Sequence, residues 1–449
     1  MKDTFKGKQI AVVGAGIEGQ SSARFLREKG ARVTILDQNQ GENYLENLKK
    51  YDLVVRSPGV KPSTLRKFAP EQKVTSQTKL FFDLCPGKII GVTGTKGKGT
   101  TSSLIYEMLK KEGKDSYLVG NIGQPGLDIL DKLSDQSIVV FELSSFQLQD
   151  LRKSPNIAVV LMITSEHLDY HKDVYEYVSA KRNLLRFQTA NDYAVVNYDY
   201  PVSNESDIHT EAKVFKISRE QELPEDGAYL RDGIIWLRKN GKEMMIIDAK
   251  EVLLPGRHNL ENVSSAVVAA SLCGVSKENI VSVLKSFEGL EHRLELVDTV
   301  KGVRYYDDSF STTPETAIAA VEAFEDPEIL ILGGSSKNSD FSQLGQTISE
   351  AGNIKAIIGL GGEWEKIKSQ ITSSKRTSFF EAAAPKSQIL LIEGSGSMEQ
   401  AVLAASKIAE VGDVVLLSPA CASFDLFKNY KDRGEQFKNE VHKLRLALN

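Results

Sequence analysis

The segment GVTGTKGKGT at residues 91–100 follows the apolar pair Ile89-Ile90. It places four glycines and two lysines between a strand-like and a helix-like segment. A strand, a glycine-rich turn and a helix direct backbone N–H groups and a helix N-terminus toward one point, where they bind phosphate oxygens. Lys98 adds positive charge there. The segment therefore predicts a nucleoside triphosphate site in a parallel α/β sheet, with an ordinary glycine-rich turn as the alternative.

The residue after Lys98 departs from the general phosphate-loop pattern. That pattern has Ser or Thr directly after the lysine, and its hydroxyl group binds Mg²⁺. Here Gly99 follows Lys98, and Thr100 and Thr101 come next. We expect Thr100 or Thr101, at the start of the helix, to present the hydroxyl group.

Apolar strand-like runs alternate with helix-like segments along most of the chain, which predicts an α/β fold with doubly wound sheets. We predict three domains. The first, over 1–86, is Rossmann-like. The second, over 87–288, is a P-loop ATPase-like parallel sheet with a small antiparallel extension that begins at YAVVNYD. The third, over 289–449, is Rossmann-like again.

Composition excludes several functional classes. A formal net charge of -4 gives no basic field for nucleic acid. No apolar run is long enough to cross a bilayer, and the first residues lack the apolar core of a signal peptide. The cysteines are too few and too scattered for a disulfide framework or a metal knuckle. We therefore expect a cytoplasmic protein without nucleic-acid partners or membrane insertion.

A second glycine-rich turn, GAGIEG at 14–19, fits the dinucleotide-binding pattern G-x-G-x-x-G. Asp37 ends the next strand, where an acidic residue would meet a ribose hydroxyl group. Alone, the turn is compatible with NAD, with the diphosphate of a nucleotide-linked substrate, or with a tight turn that binds nothing. Together with residues 91–100, it favours two phosphorylated ligands in separate domains.

Acidic residues and histidines follow two further strands. Glu142 follows one buried strand, and Glu166, His167, Asp169 and His171 follow the next. Doubly wound sheets bind ligands at these strand ends, and hard oxygen ligands suit Mg²⁺. The alternatives are a helix cap or solvated carboxylate for Glu142 and a structural histidine for His167.

Motifs over the whole chain resemble the Mur ligase family, and in particular its D-glutamate-adding members. The resemblance implies an ATP-dependent acid–amino-acid ligase that joins UDP-N-acetylmuramoyl-L-alanine (UDP-MurNAc-L-Ala) to D-glutamate through an acyl phosphate, in peptidoglycan precursor synthesis. It also implies ATP and Mg²⁺ as cofactors, a monomer, and domain closure around the ligands. The motifs are GAGIEGQSSARFL, GTKGKGTT, GNIG, ELSSFQL, EHLDYH, GRHNLENVSSA, EHRLE and, most specific, LLSPACASFDLFKNYKDRGEQF.

Matching these motifs residue by residue implies roles at the reaction centre. Lys98, Glu142, His167 and Lys181 would be catalytic, and Thr100, Glu142 and His167 would bind the metal. Lys181 would join them if carbon dioxide converts its amine to a carbamate, an oxygen anion suited to Mg²⁺. Without the resemblance, a solvated helical lysine is the simpler interpretation. The implied ATP-binding residues are Gly94, Thr95, Lys96, Gly97, Lys98, Gly99, Thr100, Thr101, Asn259, Asn262, Arg293 and Asp308.

The resemblance also implies residues for the other two substrates. For several of these residues a structural role is the alternative: helix capping for Asn259 and Asn262, an ion pair for Arg293 and Asp308, and core packing for aromatic residues. The nucleotide-sugar residues are Ile17, Glu18, Asp37, Gly59, Asn121 and Ser144. The D-glutamate residues are Thr312, Lys337, Ser423, Phe424 and Tyr430.

Two departures leave alternatives open. Phe310, in DSFSTTP, stands where the family often has a carboxylate-binding lysine, and Thr312 or Lys337 would have to compensate. The glycine after Lys98, Gly99, is similar to the phosphate loop of the folylpolyglutamate synthetases of the same superfamily. These enzymes lack a GAGIEG domain of this kind. An NAD-dependent dehydrogenase and a nucleotide-sensing protein without turnover are alternatives from other classes.

Overall fold

The computed structural model describes residues 4–164, 166–167, 170–336, 339–374 and 389–446. The chain divides into two compact units, Met1–Val252 with Leu260–Ser286, and Leu253–Asn259 with Phe287–Asn449. The first predicted domain and all of the second except residues 253–259 and 287–288 lie in the first unit, so the separation of these two domains stays a prediction. No helix among the described residues is long and apolar enough to cross a bilayer.

The N-terminal part of the first unit is a four-stranded parallel sheet in the order β2-β1-β3-β4. Its strands and helices alternate as predicted, because buried strands are separated by segments with one apolar face. The elements are β1 (Gln9–Val13), α1 (Ile17–Glu28), β2 (Arg32–Leu36), β3 (Leu53–Arg56), α2 (Pro62–Leu65), β4 (Val74–Ser76) and α3 (Gln77–Leu84).

The rest of the first unit is built on a nine-stranded sheet in the order β13-β12-β11-β10-β9-β8-β5-β7-β6. Its elements are β5 (Lys88–Thr93), α4 (Lys98–Lys111), β6 (Ser116–Gly120), β7 (Ile138–Glu142), α5 (Ser145–Leu148), β8 (Ile157–Val160), α6 (Val174–Arg182), β9 (Tyr193–Asn197), α7 (Pro201–Asn204), β10 (Lys213–Ser218), β11 (Gly227–Arg231), β12 (Ile234–Lys239), β13 (Lys242–Asp248), α8 (His258–Leu272) and α9 (Lys277–Leu284).

The predicted start of the antiparallel extension at YAVVNYD is wrong. Strand β9 pairs in parallel with β8, β10 pairs in parallel with β9, and β11 pairs in parallel with β10. Only the pairs β11–β12 and β12–β13 are antiparallel. The connection through helix α7 takes the chain back to the end of the sheet at which β9 begins, so β10 runs parallel to β9. The turns at Asp232-Gly233 and Asn240-Gly241 have positive φ, and they reverse the direction of the chain.

The second unit contains a six-stranded sheet in the order β14-β15-β19-β16-β17-β18, in which only β14 is antiparallel to its neighbour. The hairpin of β14 and β15 was not predicted. The elements are β14 (Glu295–Val300), β15 (Val303–Asp307), α10 (Pro314–Val321), β16 (Glu328–Gly333), α11 (Ser342–Glu350), β17 (Ile354–Leu360), α12 (Trp364–Ser374), β18 (Leu390–Ser395), α13 (Met398–Ile408), β19 (Val414–Leu417) and α14 (Tyr430–Leu446).

Strand β5 pairs in parallel with β7 on one side and β8 on the other. The carboxyl ends of these three strands therefore meet at one edge of the sheet, where ligands bind in such folds. Residues 94–98, which we call the glycine-lysine turn, follow β5. Glu142 ends β7, and the segment around His167 follows β8. The fold thus brings together the three segments that the sequence predicts to be functional.

Candidate active site

The glycine-lysine turn joins β5 to α4, as predicted. Gly97 precedes α4 with φ of 81°, a conformation that glycine adopts without strain. An added Cβ at Gly97 would lie 2.1 Å from Oδ1 of Asn262, and one at Gly94 would lie 2.8 Å from Cβ of Leu161. Both positions therefore require glycine.

Two lysines bind the backbone of this turn. Nζ of Lys98 donates to the carbonyl oxygens of Gly94 and Thr95, each over 3.0 Å, and Nζ of Lys181 donates to that of Gly94 over 2.7 Å. Burial lowers the pKa of Lys181 well below its usual value, and the Lys98 ammonium lowers it further. The Lys181 side chain therefore favours the neutral amine more than a solvated lysine does.

Helix α6 holds the turn with a second residue, Tyr177. Its hydroxyl group lies 2.9 Å from Oγ1 of Thr95, and its ring lies 4.6 Å from Nζ of Lys181. Tyr177 and Lys181 are four residues apart and so share one face of the helix. Our sequence analysis missed Tyr177, although its spacing from Lys181 was a usable signal.

Two carboxyl groups lie at this edge of the sheet. Glu142 is buried and acts electrostatically on Lys181. Oε1 of Glu166 lies 3.0 Å from Nζ of Lys96. Burial would raise the pKa of Glu166, but the charge and the hydrogen bond of Lys96, together with smaller effects of His167 and Lys98, lower the pKa. Glu166 is therefore an anion at neutral pH.

His167 has a φ of 58°, and its side chain is 45% exposed. Its Nε2 lies 3.7 Å from Oε2 of Glu166, and its ring centroid lies 4.9 Å from that of Phe146. His171 is buried instead, with Nε2 2.9 Å from Oγ of Ser145, and so has a structural contact. Asp169 lies outside the described residues.

The start of α8 contributes two predicted asparagines. Oδ1 of Asn262 accepts a hydrogen bond from Oγ1 of Thr101 over 3.3 Å, which places Asn262 beside the turn. Nδ2 of Asn259 donates to the carbonyl oxygen of Pro255 over 2.7 Å, as expected of a residue that organises a helix start. Thr100 is half-buried in the first turn of α4, and Gly99 beside it is buried.

The GAGIEG turn joins β1 to α1. A Cβ at Gly19 would lie 1.9 Å from the carbonyl oxygen of Gly14, so this glycine allows close packing of helix and strand. Gly16 precedes α1, has no atom within 4 Å of its Cβ position, and has no side-chain cap. The backbone at Gly16 is therefore open to a ligand.

Asp37 organises this turn. Its Oδ2 accepts from the backbone N–H of Ala15 over 2.8 Å, and its Oδ1 accepts from that of Asn39 over 3.1 Å. The hydrogen bond from Ala15, followed by that from Asn39, lowers the pKa of Asp37. A ribose contact for Asp37 stays a prediction.

Glu18 and Ser144 are joined through Gln147, which our sequence analysis did not select. Nε2 of Gln147 donates to Oε1 of Glu18 over 2.6 Å, and Oε1 of Gln147 accepts from the backbone N–H of Ser144 over 2.8 Å. Burial raises the pKa of Glu18 to about 7. Gln147 therefore connects the first turn of α1 to the start of α5.

The other predicted nucleotide-sugar residues are accessible. The side chain of Ile17 is among the exposed large apolar side chains, Gly59 has open space at its Cβ position, and Asn121 is exposed. The backbone N–H of Asn121 donates to the carbonyl oxygen of Glu142 over 3.4 Å, which connects it to the end of β7.

A buried arginine, which our sequence analysis missed, supports this region. Arg56 donates to Asp150 from Nε over 3.1 Å and from Nη2 over 2.5 Å, and to the carbonyl oxygen of Phe146 over 2.9 Å. A charged residue directly after the apolar Leu53–Val55 was a signal for such a role.

Asp308 is enclosed within the second unit. Its carboxylate accepts from Oγ of Ser418 over 2.8 Å, from Oγ of Ser311 and from the backbone N–H of Leu294. Burial raises its pKa to about 7. In this structure, Asp308 therefore connects three loop segments, and its predicted contact with ATP stays a prediction.

The other predicted site residues of the second unit that the structure describes lie on loops, except Tyr430, which is the first residue of α14. The ring of Phe310 lies between Arg293 and Tyr430: Cζ of Arg293 is 3.8 Å from its centroid, and the Tyr430 centroid is 5.1 Å away. Ser423 is buried, and the side chain of Phe424 is 74% exposed, so Phe424 is not a core residue. Thr312 is half-buried, and Lys337 lies outside the described residues.

Two protein-family models match the chain. The Mur ligase middle domain matches residues 92–270, and the Mur ligase glutamate ligase domain matches residues 292–421. The first match includes the glycine-lysine turn, Glu142, His167 and Lys181. The second covers most of the second unit.

The chain is also similar to curated proteins over its full length. UDP-N-acetylmuramoylalanine–D-glutamate ligase of Acetivibrio thermocellus is 39% identical, with 99% of this chain and 98% of the relative covered. The Clostridium botulinum protein of the same name is 37% identical, with the same coverage.

Solved structures share the fold. MurF ligase from Thermotoga maritima in complex with ADP has a TM-score of 0.59 and 18% identity over 99% of this chain and 97% of that one. UDP-N-acetylmuramate-alanine ligase MurC from the same organism has a TM-score of 0.59 and 17% identity, with 98% and 100% covered.

Proposed function

The chain belongs to the Mur ligase family, and on that basis we propose that it adds D-glutamate to UDP-N-acetylmuramoyl-L-alanine in peptidoglycan precursor synthesis. ATP supplies the phosphoryl group that makes the L-alanine carboxylate an acyl phosphate, which the amine of D-glutamate attacks with release of phosphate. The observation that carries the proposal is the glycine-lysine turn, bound by Lys98 and Lys181, at the strand edge that also carries Glu142 and His167.

The turn fits a triphosphate. Gly94 and Gly97 leave no room for side chains, so the backbone of the turn can approach phosphate oxygens closely. The ammonium of Lys98 already binds two carbonyl oxygens there, and its charge would bind phosphate. We assign Gly94–Thr101 to ATP, and Asn262 to the support of the turn through Thr101.

The residues present also fit Mg²⁺. Glu142, Thr100 and His167 offer a buried carboxylate, a hydroxyl group and an imidazole, donors that suit a hard cation or its bound water. Mg²⁺ would supply the positive charge that neutralises the phosphate oxygens. We assign these three side chains to its binding.

As an ammonium group, Lys181 would repel Mg²⁺. Its lowered pKa favours the neutral amine, which can attack carbon dioxide: Nζ forms a bond to the carbon atom, and a proton leaves to solvent. The resulting carbamate is an anion with two oxygen atoms. We propose that Lys181 acts in this form, where it orients or binds the metal.

The nucleotide sugar fits the first sheet. The open backbone at Gly16 and the exposed Ile17 beside it are suited to the uridine diphosphate. The exposed Gly59 follows Ser57, whose Oγ donates to the carbonyl oxygen of Gly14 over 3.0 Å. Gln147 connects Glu18 of that turn to Ser144, and Ser144 is two residues after Glu142. The substrate carboxylate would therefore lie near the catalytic carboxyl group when the uridine end lies on α1.

The acceptor amino acid would bind to the second unit, through Thr312, Ser423, Phe424 and Tyr430. Hydroxyl groups and an exposed ring can hold the acceptor chain. The folylpolyglutamate alternative is not favoured, because the full-length relatives carry the D-glutamate ligase name.

An acceptor scan tests this function. We expect the chain, incubated with ATP, Mg²⁺ and UDP-MurNAc-L-Ala, to release phosphate with D-glutamate and to form a product one glutamyl residue heavier. L-glutamate, D-glutamine and D-aspartate are the matched acceptors, and a reduced folate is the alternative first substrate. Preference for any of these acceptors, or turnover of the folate, would contradict the proposal.

A further inference from the structure

The first unit contains a cleft outside the predicted site, with a volume of about 280 Å³. One wall consists of residues from α2, β4, α3 and the loop between α2 and β4, and the other consists of residues that follow α5 and α6. None of the described residues that we assigned to ATP, Mg²⁺, the nucleotide sugar or the acceptor lines it. We call it the basic cleft, because four basic side chains line it: Arg66, Lys79, Arg152 and Arg186.

Lys79 supplies an unpaired cation to the cleft. It lies in the first turn of α3, where its backbone N–H donates to Oγ of Ser76 over 3.2 Å. Lys79 is half-buried, yet its ammonium group forms no hydrogen bond or ion pair with any other residue that the structure describes. An ammonium group has three N–H donors and no acceptor. All three donors of Lys79 are therefore available to an anion.

Arg186 supplies a second cation without an acidic partner among the described residues. Its Nη1 donates to Oδ1 of the buried Asn183 over 2.8 Å, and its Nη2 donates to Oγ of Ser179 over 3.0 Å. Both acceptors are neutral, so they orient the guanidinium without compensating its charge. A guanidinium has five N–H donors, and these two bonds leave the others available.

The acidic residues of the cleft compensate only part of its positive charge. Arg66 and Arg152 share one carboxylate oxygen, Oε1 of Glu71, over 3.5 and 2.7 Å. Asp150 also lines the cleft, but the buried Arg56 pairs with it from Nη2 over 2.5 Å and from Nε over 3.1 Å. Glu71 therefore neutralises one of the four basic side chains, and the cleft keeps an excess of three positive charges in a chain whose formal net charge is -4.

The size and the lining of the cleft indicate the kind of ligand that fits. Its volume is just below the range of pockets that hold drug-sized ligands, so it suits a molecule smaller than a nucleotide sugar. Guanidinium and ammonium groups bind phosphate and carboxylate oxygens most strongly. A phosphate group presents three acceptor oxygens and up to two charges, so it can accept from several of these donors at once. Apolar side chains that also line the cleft can contact a short carbon skeleton: Pro62, Val74, Leu151 and Phe187.

We propose that the basic cleft is a binding site for a small organic phosphate, separate from the ATP and nucleotide-sugar sites. Lys79 and Arg186 bind the phosphate group, and Arg66 and Arg152 lie at the exposed rim. The inference goes beyond the proposed ligase function and does not depend on it, because binding can be measured without turnover.

Calorimetric titration with 3-phosphoglycerate, which carries a phosphate and a carboxylate group, tests the proposal. The unaltered chain is first saturated with a non-hydrolysable ATP analogue, Mg²⁺, UDP-MurNAc-L-Ala and D-glutamate, so that the catalytic sites are occupied. We expect saturable binding of one 3-phosphoglycerate molecule per chain. Glycerate, which lacks the phosphate group, and tricarballylate, which has three carboxylates instead, should each bind about tenfold more weakly or less.

Substitutions place the probe in the cleft. We expect Lys79→Gln and Arg186→Gln each to weaken the binding of 3-phosphoglycerate about tenfold or more, because each removes one charged donor. Lys111→Gln and Arg27→Gln are the matched controls, since both residues are exposed and form no ion pair with another described residue. These controls should keep the affinity within about twofold, because solvent and salt screen distant charges.

A measurement on the unaltered chain avoids any effect of a substitution on folding. We expect 3-phosphoglycerate to slow the acetylation of Lys79 by an activated ester, followed by mass spectrometry, and to leave that of Lys111 unchanged. Four results would overturn the inference: no saturable binding, tricarballylate or glycerate binding as tightly as 3-phosphoglycerate, equal affinity in the cleft and control variants, or unchanged acetylation of Lys79. A chain that binds the probe in the cleft but releases no phosphate from ATP would contradict the proposed function instead.

Discussion

Nε2 of Gln147 donates to Oε1 of Glu18 over 2.6 Å, and this hydrogen bond joins the first turn of α1 to helix α5, which follows β7 of the nine-stranded sheet. Oε2 of Glu18 is buried and has no hydrogen-bond partner. Burial raises the pKa of Glu18 from 4.5 to about 7, and the bond from Gln147 only partly offsets this. The contact should therefore make stability depend on pH.

The direction of this pH dependence follows from the protons that Glu18 binds in the native and unfolded states. Between pH 4.5 and 7, the native Glu18 holds a proton that the unfolded chain has released, so its contribution to stability falls as pH rises through this window. We expect Glu18→Gln, which can keep the hydrogen bond, to remove a loss of up to about 3 kcal/mol. Thermal unfolding of the unaltered chain and of Glu18→Gln from pH 4 to 8 measures this loss of stability. A difference in Tm that does not grow with pH would contradict this assignment.

Replacement of Lys181 tests the carbamate. We expect Lys181→Ala to lower phosphate release by about 100-fold or more, since an anion beside the metal would be lost. Acetate or formate, which can enter the vacated space as a carboxylate, should restore part of it. Lys110→Ala, on the exposed face of α4, is the control and should stay fully active. Equal activity of the unaltered chain with and without carbon dioxide would count against the modification.

Gly97→Ala tests the shape of the glycine-lysine turn. The left-handed conformation at Gly97 costs alanine about 1 kcal/mol, and the new Cβ would meet Oδ1 of Asn262. Gly113→Ala is the matched control, because Gly113 has φ of 77° and nothing within 4 Å of its Cβ position. We expect both variants to lose stability and only Gly97→Ala to raise the KM for ATP about tenfold or more. Similar ATP constants for the two would show that the turn does not bind ATP.

Asp150→Asn tests the buried ion pair with Arg56. Arg56 is almost fully buried, so removal of the opposing charge should cost about 3 kcal/mol or more of unfolding free energy. Asp131→Asn removes the exposed partner of Lys29 and should cost less than about 1 kcal/mol. Urea unfolding of the two variants compares them directly. Equal midpoints would contradict the support that we assign to Arg56.

The strands, and the edge of the nine-stranded sheet where the candidate residues meet, could be predicted because buried parallel strands are continuous apolar runs and the glycine-lysine turn follows one of them. The long-range partners of Arg56, Gln147 and Tyr177 could not be predicted, because they lie far away in the sequence and depend on how the segments pack. The start of the antiparallel extension was mispredicted for a similar reason. Short strands look alike in sequence, and their direction depends on whether a helix such as α7 or a tight turn joins them.

Candidate site residues are easiest to locate from the sequence where one segment supplies several of them. Lys98 and Thr101 lie beside each other on α4, so the turn alone locates them. Phe310 was recognised as a departure, but its contacts with Arg293 and Tyr430 come from three separate segments. A residue-by-residue match assigns Asp308 to ATP, whereas burial and three hydrogen-bond donors within the second unit enclose it.

We propose that the glycine-lysine turn holds ATP so that a phosphoryl group passes from ATP to the carboxylate of the nucleotide sugar. The most direct measurement uses UDP-MurNAc-L-Ala labelled with ¹⁸O in its L-alanine carboxylate. An acyl phosphate must pass one of these oxygen atoms to phosphate when the D-glutamate amine displaces it. We predict one ¹⁸O atom in each phosphate released by the unaltered chain, and no labelled phosphate above background with Lys98→Ala. Unlabelled phosphate at full turnover, or labelled phosphate from Lys98→Ala at the normal rate, would contradict the account.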